Sequence, residues 1–249
     1  MEEVAEQIFG PPERTGVAEG PTVRLVDFDP DGEVKLVASM LYPYTHLPEH
    51  DIEARVRAMP SDERIAVVQA YVGERTNRRH KPGRALERVQ YRFDVLADYG
   101  AFRDLQRHRM LTIEWQPLSP RHGYTRPEAV DLAGQTEAFD GAMERSAGLH
   151  DALAARFPAQ APYAVSLAYK VRFILQLNAR EAMHLIELRS TPQGHPAYRL
   201  VAQEMHRLIG EQAGHHAVAE MMRFVDHSPE PSLERLAAER RAEARRQSF

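Results

Sequence analysis

The residues best placed to do chemistry lie in segment 99–124, where cationic side chains gather around the only tryptophan of the chain. Arg107, His108 and Arg109 are consecutive, and Arg103 stands four residues before Arg107. On a helix, residues four apart share one face, where two like charges repel each other unless an anion lies near them. Guanidinium groups present paired N–H donors that match diphosphates and carboxylates. The segment therefore predicts either an anion-binding site or a solvated basic helix end that complements the helix dipole.

A second polar set lies within the apolar segment LNAREAMHLIELR. The spacing predicts one long helix over residues 163–189, because the apolar side chains project onto one sector. These side chains are Ile174, Leu175, Ala182, Leu185 and Ile186. Asn178 and Arg189 fall inside this sector, whereas Arg180 and His184 line a neighbouring face. Since a buried polar group without a partner costs roughly 1–3 kcal/mol, either the fold or a ligand must supply partners for Asn178 and Arg189.

The elements that must position these residues begin with a predicted strand over residues 89–95. Val89, Tyr91, Phe93 and Val95 alternate there with polar residues, which is the pattern of a half-buried strand. A short helix, the cationic turn and an extended segment are expected to follow. The polar and basic segment 74–88, which precedes the strand, predicts either a cradle for an anion or a plain surface loop.

The rest of the chain predicts a mixed fold with many helices. A strand is expected at residues 22–27, and helices are expected at residues 33–41, 51–59, 61–73, 124–157, 197–210 and 212–225. Residues expected to face inward in the last two helices are Leu200, Val201, Met205, Leu208 and Ile209. We interpret residues 1–21 as a flexible lead-in, residues 22–227 as a single domain and residues 228–249 as a charged C-terminal helix or tail, helical over 232–246.

Composition excludes several classes of protein. The 249 residues carry a net charge of −4, which argues against a general nucleic-acid-binding protein. The absence of cysteine excludes disulfides, thiolate catalysis and cysteine-ligated metal sites. No apolar run is long enough to span a membrane and no signal segment is evident, so a soluble intracellular protein is expected, with no membrane partner.

The histidines outside these motifs predict no metal site. His46 and His50 lie in a segment with two prolines, which we interpret as a solvated loop. His206, His215 and His216 have no carboxylate at ligand spacing, so we interpret them as surface or core residues.

Two motifs together resemble the flavin-dependent thymidylate synthase family. Segment 107–109 with the polar residues after it is similar to the arginine–histidine–arginine signature of that family. The segment LNAREAMHLIELR resembles its second conserved block, at matching spacing. The resemblance covers residues 23–225.

The resemblance implies an α/β (α+β) fold, in which a small, mostly antiparallel sheet packs with long helices. It also implies FAD bound between the subunits of a homotetramer or homodimer in the cytoplasm. In that family NADPH reduces the flavin, methylenetetrahydrofolate supplies the carbon, and dUMP becomes dTMP.

The resemblance also assigns roles to individual residues. It assigns flavin binding to Glu87, Arg107, His108, Arg109, Asn178, Arg180 and His184. It assigns nucleotide binding to Arg103, Arg121 and Arg189, and catalysis to Ser119 and Arg189. A guanidinium group beside the flavin would also favour the anionic reduced form of the ring system.

The chain departs from the family pattern on the nucleotide side. Pro117 stands where the family has a serine, and Ser119 and Pro162 stand where it has arginines. Trp115 replaces an acidic residue, and Asp104 replaces a glutamine. A small shift of the alignment gives Ser119 and Arg121 the serine and arginine roles. Each lost arginine removes a charge-assisted contact of about 1.5–3 kcal/mol. The resemblance therefore implies a retained flavin half and a rewritten dUMP half.

Three hypotheses follow from these motifs. The chain is an active thymidylate synthase of this family, a non-catalytic relative that keeps the fold for assembly or flavin binding, or a flavoenzyme that acts on another substrate.

Overall fold

The computed structural model describes residues 1–10 and 21–228, together with residues 239–240 and 243–244. The strands are β1 (Thr22–Phe28), β2 (Gln90–Asp98), β3 (Thr112–Trp115) and β4 (Lys170–Asn178). The α-helices of the described residues are α1 (Glu2–Phe9), α2 (Gly32–Leu41), α3 (Glu49–Ala58), α4 (Ser61–Val72), α5 (Tyr99–Leu105), α6 (Glu128–Leu132), α7 (Thr136–Ala154), α8 (Ala179–Arg189), α9 (Pro196–Glu211) and α10 (His216–Glu220). None of these helices is long and apolar enough to cross a membrane.

The four strands form one antiparallel sheet in the order β1–β2–β4–β3. The alternation predicted for β2 is confirmed, because Tyr91, Phe93 and Val95 are buried whereas Gln90 and Arg92 are exposed. Helices α5, α8 and α9 pack against the sheet, and their apolar side chains join the inward residues of β2 and β4 in the core. This arrangement confirms the predicted fold class of a small antiparallel sheet packed with helices.

The long helix predicted over residues 163–189 is wrong. Residues 170–178 form β4, and the helix begins only at Ala179. Phe173, Leu175 and Leu177 are buried on one side of β4, so the period of burial there is two rather than 3.6. β-branched and aromatic residues in this short apolar run favour a strand, and full pairing with β2 along its length stabilises it.

Smaller corrections concern the helix ends. Arg107 lies beyond the end of α5 at Leu105, so it does not share a helix face with Arg103 as predicted. The helix predicted over residues 212–225 shrinks to α10, because Gly214 adopts a positive φ of 70° and turns the chain. Leu200 is 51% exposed rather than inward.

The termini of the chain lie partly outside the described residues. Residues 2–9 of the predicted lead-in form α1, and residues 11–20 are outside the described part of the chain. The C-terminal helix predicted over residues 232–246 also lies outside it, apart from residues 239–240 and 243–244.

A buried ion pair ties the segment after α4 to α8. Arg75 donates to both carboxylate oxygens of Glu187, at 2.6 and 2.5 Å, and both side chains are almost fully buried. Arg75 also donates to the backbone carbonyls of Arg78, His80 and Met221. One guanidinium group therefore fixes the loop of residues 76–81 against α8 and against the segment that follows α10.

Replacing this arginine with an apolar residue should destabilise the fold strongly. The Arg75→Met variant leaves the Glu187 carboxylate buried without a counter-ion, which typically costs about 3–5 kcal/mol. The Arg57→Met variant is the matched control, because Arg57 forms an exposed ion pair with Asp31 and such pairs contribute about 0–1 kcal/mol. Urea denaturation at neutral pH measures both free energies of unfolding, and equal values for the two variants would contradict the role given to Arg75.

Candidate functional site

The site is organised by the junction between β4 and α8. The side-chain oxygen of Asn178 accepts a hydrogen bond from the backbone amide of Glu181 at 2.9 Å, so Asn178 is the N-cap of α8. The fold therefore supplies the partner that the sequence required for Asn178. The first two turns of α8 then present Arg180, Glu181 and His184.

A chain of hydrogen bonds connects α8 to the turn after α5. The Nδ1 atom of the buried His108 lies 2.8 Å from a carboxylate oxygen of Glu181. Arg189 donates from Nε to Nε2 of His108 at 3.1 Å. Because Nε2 accepts this bond, the proton of the neutral ring lies on Nδ1 and is donated to Glu181. We call Glu181, His108 and Arg189 the relay.

Arg189 is fully engaged by the fold. Its Nη2 atom donates to the backbone carbonyl of Asp104 at 2.6 Å, and Nη1 lies 3.3 Å from the Asp104 carboxylate. The guanidinium also stacks over the ring of Tyr198 at 5.4 Å, and the side chain is only 14% exposed. The Asp104 carboxylate lies 3.8 Å from Arg107 as well. Asp104 therefore reduces the positive charge of two arginines predicted to bind ligands.

Arg180 is held by Glu87. The Nη1 atom of Arg180 donates to Glu87 at 2.7 Å, and Arg84 donates to the same carboxylate. The hydrogen bond from Arg84, helped by the one from Arg180, holds the pKa of the Glu87 carboxyl below its ordinary value. Glu87 thus stays ionised and keeps Arg180 at the mouth of the site.

His184 faces the loop of residues 76–81, which we call the cationic loop. Its ring centroid lies 5.4 Å from that of His108. Partial desolvation lowers the pKa of His184; the Glu181 carboxylate opposes this shift, and His108, Arg78 and Lys81 add to it. His184 is therefore neutral at pH 7, so it can either donate or accept a hydrogen bond.

Several cationic side chains of the cationic loop and of the turn after α5 are not paired with carboxylates of the described part of the chain. Within the described residues, no carboxylate lies within ion-pair distance of Arg78, Arg79, Lys81 or Arg109. Such a surface favours an anion with several charged oxygens.

The same surroundings argue against a cation in this place. His108, Glu181 and His184 offer ligand atoms within 4.8 Å of one another. Both nitrogens of His108 are already engaged, however, and one of them accepts from the guanidinium of Arg189. A metal ion here would lie beside that positive charge and beside the cationic loop.

The structure separates the remaining predicted residues from this site. Ser119 accepts a hydrogen bond from the backbone amide of Arg121, in a turn that follows β3. Gln116, which follows β3 and comes three residues before Ser119, donates its amide to the carbonyl of Arg172 in β4. Arg172 is six residues from Asn178 and therefore roughly 20 Å from it along the strand. Arg103 is exposed on α5, where it contacts only the side chain of Tyr99 in the described residues.

The structure thus places the predicted residues in two groups within one chain. The residues that it brings together are Glu87, His108, Asn178, Arg180, His184 and Arg189. Arg107 and Arg109 are exposed at the edge of this group, whereas Ser119 and Arg121 lie at the other end of β4.

Sequence reasoning missed Glu181 and the pairing of Asp104 with Arg189. A signal for Glu181 exists, because asparagine at an N-cap with glutamate three residues later is the pattern of a capping box. No local pattern indicates the contact between Asp104 and Arg189, which are 85 residues apart.

Comparisons with known proteins show the family to which the chain belongs. The model of the thymidylate synthase complementing protein family matches residues 24–225. A UPF0159 protein of Chlamydia pneumoniae is 39% identical over 243 residues, which are 96% of this chain and 45% of that protein. A UPF0159 protein of Chlamydia muridarum is 39% identical over 222 residues, covering 89% of this chain and 41% of that protein. The chain spans less than half the length of these curated relatives.

A solved structure shows the same fold. The UMP/dUMP methylase PolB from Streptomyces cacaoi, bound with 5-Br dUMP, superimposes with a TM-score of 0.64 at 18% sequence identity. The alignment covers 83% of this chain and 97% of that one. Because the family match takes in the relay, the cationic loop and the β4–α8 junction, it confirms the resemblance found in the sequence: the chain belongs to the thymidylate synthase complementing protein family, which is the family of flavin-dependent thymidylate synthases.

Proposed function

We propose that the chain binds FAD and works in a thymidylate synthase-type methyltransferase that acts on a pyrimidine nucleotide. Membership of the family supports nucleotide methylation as the reaction class. In the full reaction NADPH is the reductant, methylenetetrahydrofolate the carbon donor and dUMP the acceptor. We further propose a cytoplasmic protein that self-associates, as a homotetramer or homodimer, with no nucleic-acid or membrane partner.

The observation that carries this proposal is the open positive surface beside α8. FAD presents a diphosphate and a polar ring edge, and the residues present fit such a group. Arg78, Arg79, Lys81 and Arg109 offer charge without carboxylate partners in the described residues for the diphosphate. His184 offers a neutral ring nitrogen near Arg78 and Lys81. When bound, the flavin would supply hydride transfer between the reductant and the pyrimidine.

The residues of the chain would hold and tune that group. Arg180 keeps a fixed position through Glu87 and can present its remaining N–H donors to the flavin. The relay holds His108 and Arg189 rigidly behind this surface. A positive group held in advance stabilises an anionic reduced flavin without reorganisation.

The described residues of a single chain do not assemble a complete nucleotide-binding site. Arg189 is bound to Asp104, so it is not available to a phosphate. Ser119 and Arg121 lie at the end of β4 away from Asn178. Residues of a second chain would have to complete the nucleotide site. The additional sequence of the longer relatives could supply the same residues. The alternative function is a non-catalytic flavin-binding relative with a role in assembly, and the engagement of Arg189 by Asp104 favours it.

Titration of the purified protein with FAD tests the flavin half. The visible spectrum of bound flavin should appear with the wild type, and Arg180→Ala should weaken FAD binding about 10- to 100-fold, the effect of one lost charge-assisted hydrogen bond of about 1.5–3 kcal/mol. The matched control is Arg207→Ala, because in the described part of the chain Arg207 pairs only with Glu204 and Glu211, on the exposed face of α9. A wild type that binds no flavin would contradict the proposal, and so would equal loss of binding in both variants.

Calorimetry with dUMP tests the nucleotide half. The FAD-loaded wild type should show no tight binding of dUMP, because the Asp104 carboxylate repels a phosphate and occupies Arg189. The Asp104→Asn variant keeps both acceptors for Arg189 and removes the negative charge, so dUMP affinity should rise about tenfold, equivalent to 1.4 kcal/mol. Asp31→Asn is the control at an exposed pair with Arg57. Micromolar binding by the wild type would show that the nucleotide half is intact.

A further inference from the structure

A second group of polar side chains lies where α9, α10 and the segment after α10 meet. His227, which follows α10, places its Nε2 atom 2.9 Å from Nδ1 of His206 on α9. The two ring centroids are 5.0 Å apart. Nothing in the proposed flavin and nucleotide chemistry uses these residues.

The fold fixes which nitrogen of His206 carries the proton. The Nε2 atom of His206 donates to the backbone carbonyl of Ala219 at 3.0 Å. The lone pair therefore lies on Nδ1 and points at His227, which donates its own proton to it. In metal-binding histidines, one ring nitrogen commonly donates its proton to a backbone carbonyl. The other nitrogen then carries the lone pair that binds the metal.

A cavity of about 390 Å³ opens beside these two nitrogens. Its other walls include His216, Glu211 and Arg207. The Arg207 guanidinium is neutralised by Glu204 and Glu211, so the cavity does not carry the excess positive charge of the cationic loop. His216 is exposed and, among the described residues, has no hydrogen-bond partner.

We propose that His206 and His227 bind a divalent transition-metal ion of the zinc class, with water completing the shell. Neutral imidazole selects such ions over magnesium and calcium, which prefer oxygen ligands. At metal–nitrogen distances of about 2.0–2.1 Å in a tetrahedral shell, two ligand nitrogens lie roughly 3.3–3.4 Å apart. The two nitrogens must part by about half an ångström, and the rings must turn so that both lone pairs point at the ion.

Binding moves one proton. The ion takes the place of the Nε2 proton that His227 shares with His206, and by exchange with solvent His227 carries its proton on Nδ1 instead, so both ligands are neutral imidazoles and no net proton is released. No ligand is oxidised or reduced. The bound ion would cross-link the segment around His227 to α9 and α10. Its role is therefore to stabilise this part of the fold and not to act on the substrate.

Calorimetric titration with zinc chloride tests the proposal. The experiment uses the full chain, stripped with chelator and carrying no polyhistidine tag. The wild type should bind one equivalent with micromolar affinity, and His227→Gln should weaken binding at least thirtyfold. Because His227 is exposed, this variant should fold normally, which its thermal unfolding without metal would verify.

The His184→Gln variant is the matched control, since His184 belongs to the other cluster of potential ligands. It should bind zinc like the wild type. Substitution with cobalt gives a second readout, because a tetrahedral site with histidine ligands produces visible absorption that should vanish in His227→Gln. Zinc binding that survives in His227→Gln, that is lost in His184→Gln, or that is absent from the wild type at millimolar zinc would each overturn the proposal.

Discussion

The hydrogen bond from the Glu181 amide to the Asn178 side chain fixes the residue at which β4 ends and α8 begins. The position of the candidate site follows from it. Asn178 pairs with Gln90 across the sheet, and the amide of Ala179 donates to the carbonyl of Val89. The chain just before β2 therefore lies beside the first turn of α8, which is why Glu87 can reach Arg180. A shift of one residue at this junction would turn the functional side chains of α8 to other faces.

Local pattern was sufficient for β2 and for the short helix after it. Alternation in β2 indicated its buried face correctly, whereas the ligand-binding roles of the arginine–histidine–arginine motif stay predictions. The same reasoning failed for β4, because a short apolar run that leads directly into an amphipathic helix fits both the strand period of two residues and the helix period of 3.6. What decides the matter is pairing with β2, a contact between distant parts of the chain. The engagement of Arg189 by Asp104 and the meeting of His206 with His227 are likewise products of tertiary structure, so neither could be predicted from spacing.

The arginines of this protein fall into two groups that composition cannot separate. Arg75 and Arg189 are closed in by carboxylates, carbonyls and rings, and their charge serves the fold. Arg78, Arg79 and Arg109 lack carboxylate partners within the described residues, and Arg79 and Arg109 are exposed to solvent. The net charge of −4 conceals this local excess of positive charge. Affinity for an anion depends on the second group, because a guanidinium already satisfied by the fold must give up bonds before it binds a ligand.

The bonds of Arg75 also have a consequence for motion. They join the cationic loop to α8 and to the carbonyl of Met221, although 146 residues separate Arg75 from Met221. Opening of the loop breaks the bonds from Arg75 to the carbonyls of Arg78 and His80. When Arg75 moves with the loop, Glu187 also loses its counter-ion and the carbonyl of Met221 loses its hydrogen bond to Arg75. Segments that open together exchange their amide hydrogens as one cooperative unit. We therefore expect the loop and the segment around Met221 to share one opening free energy, so that a ligand which rigidifies either of them slows hydrogen exchange in both.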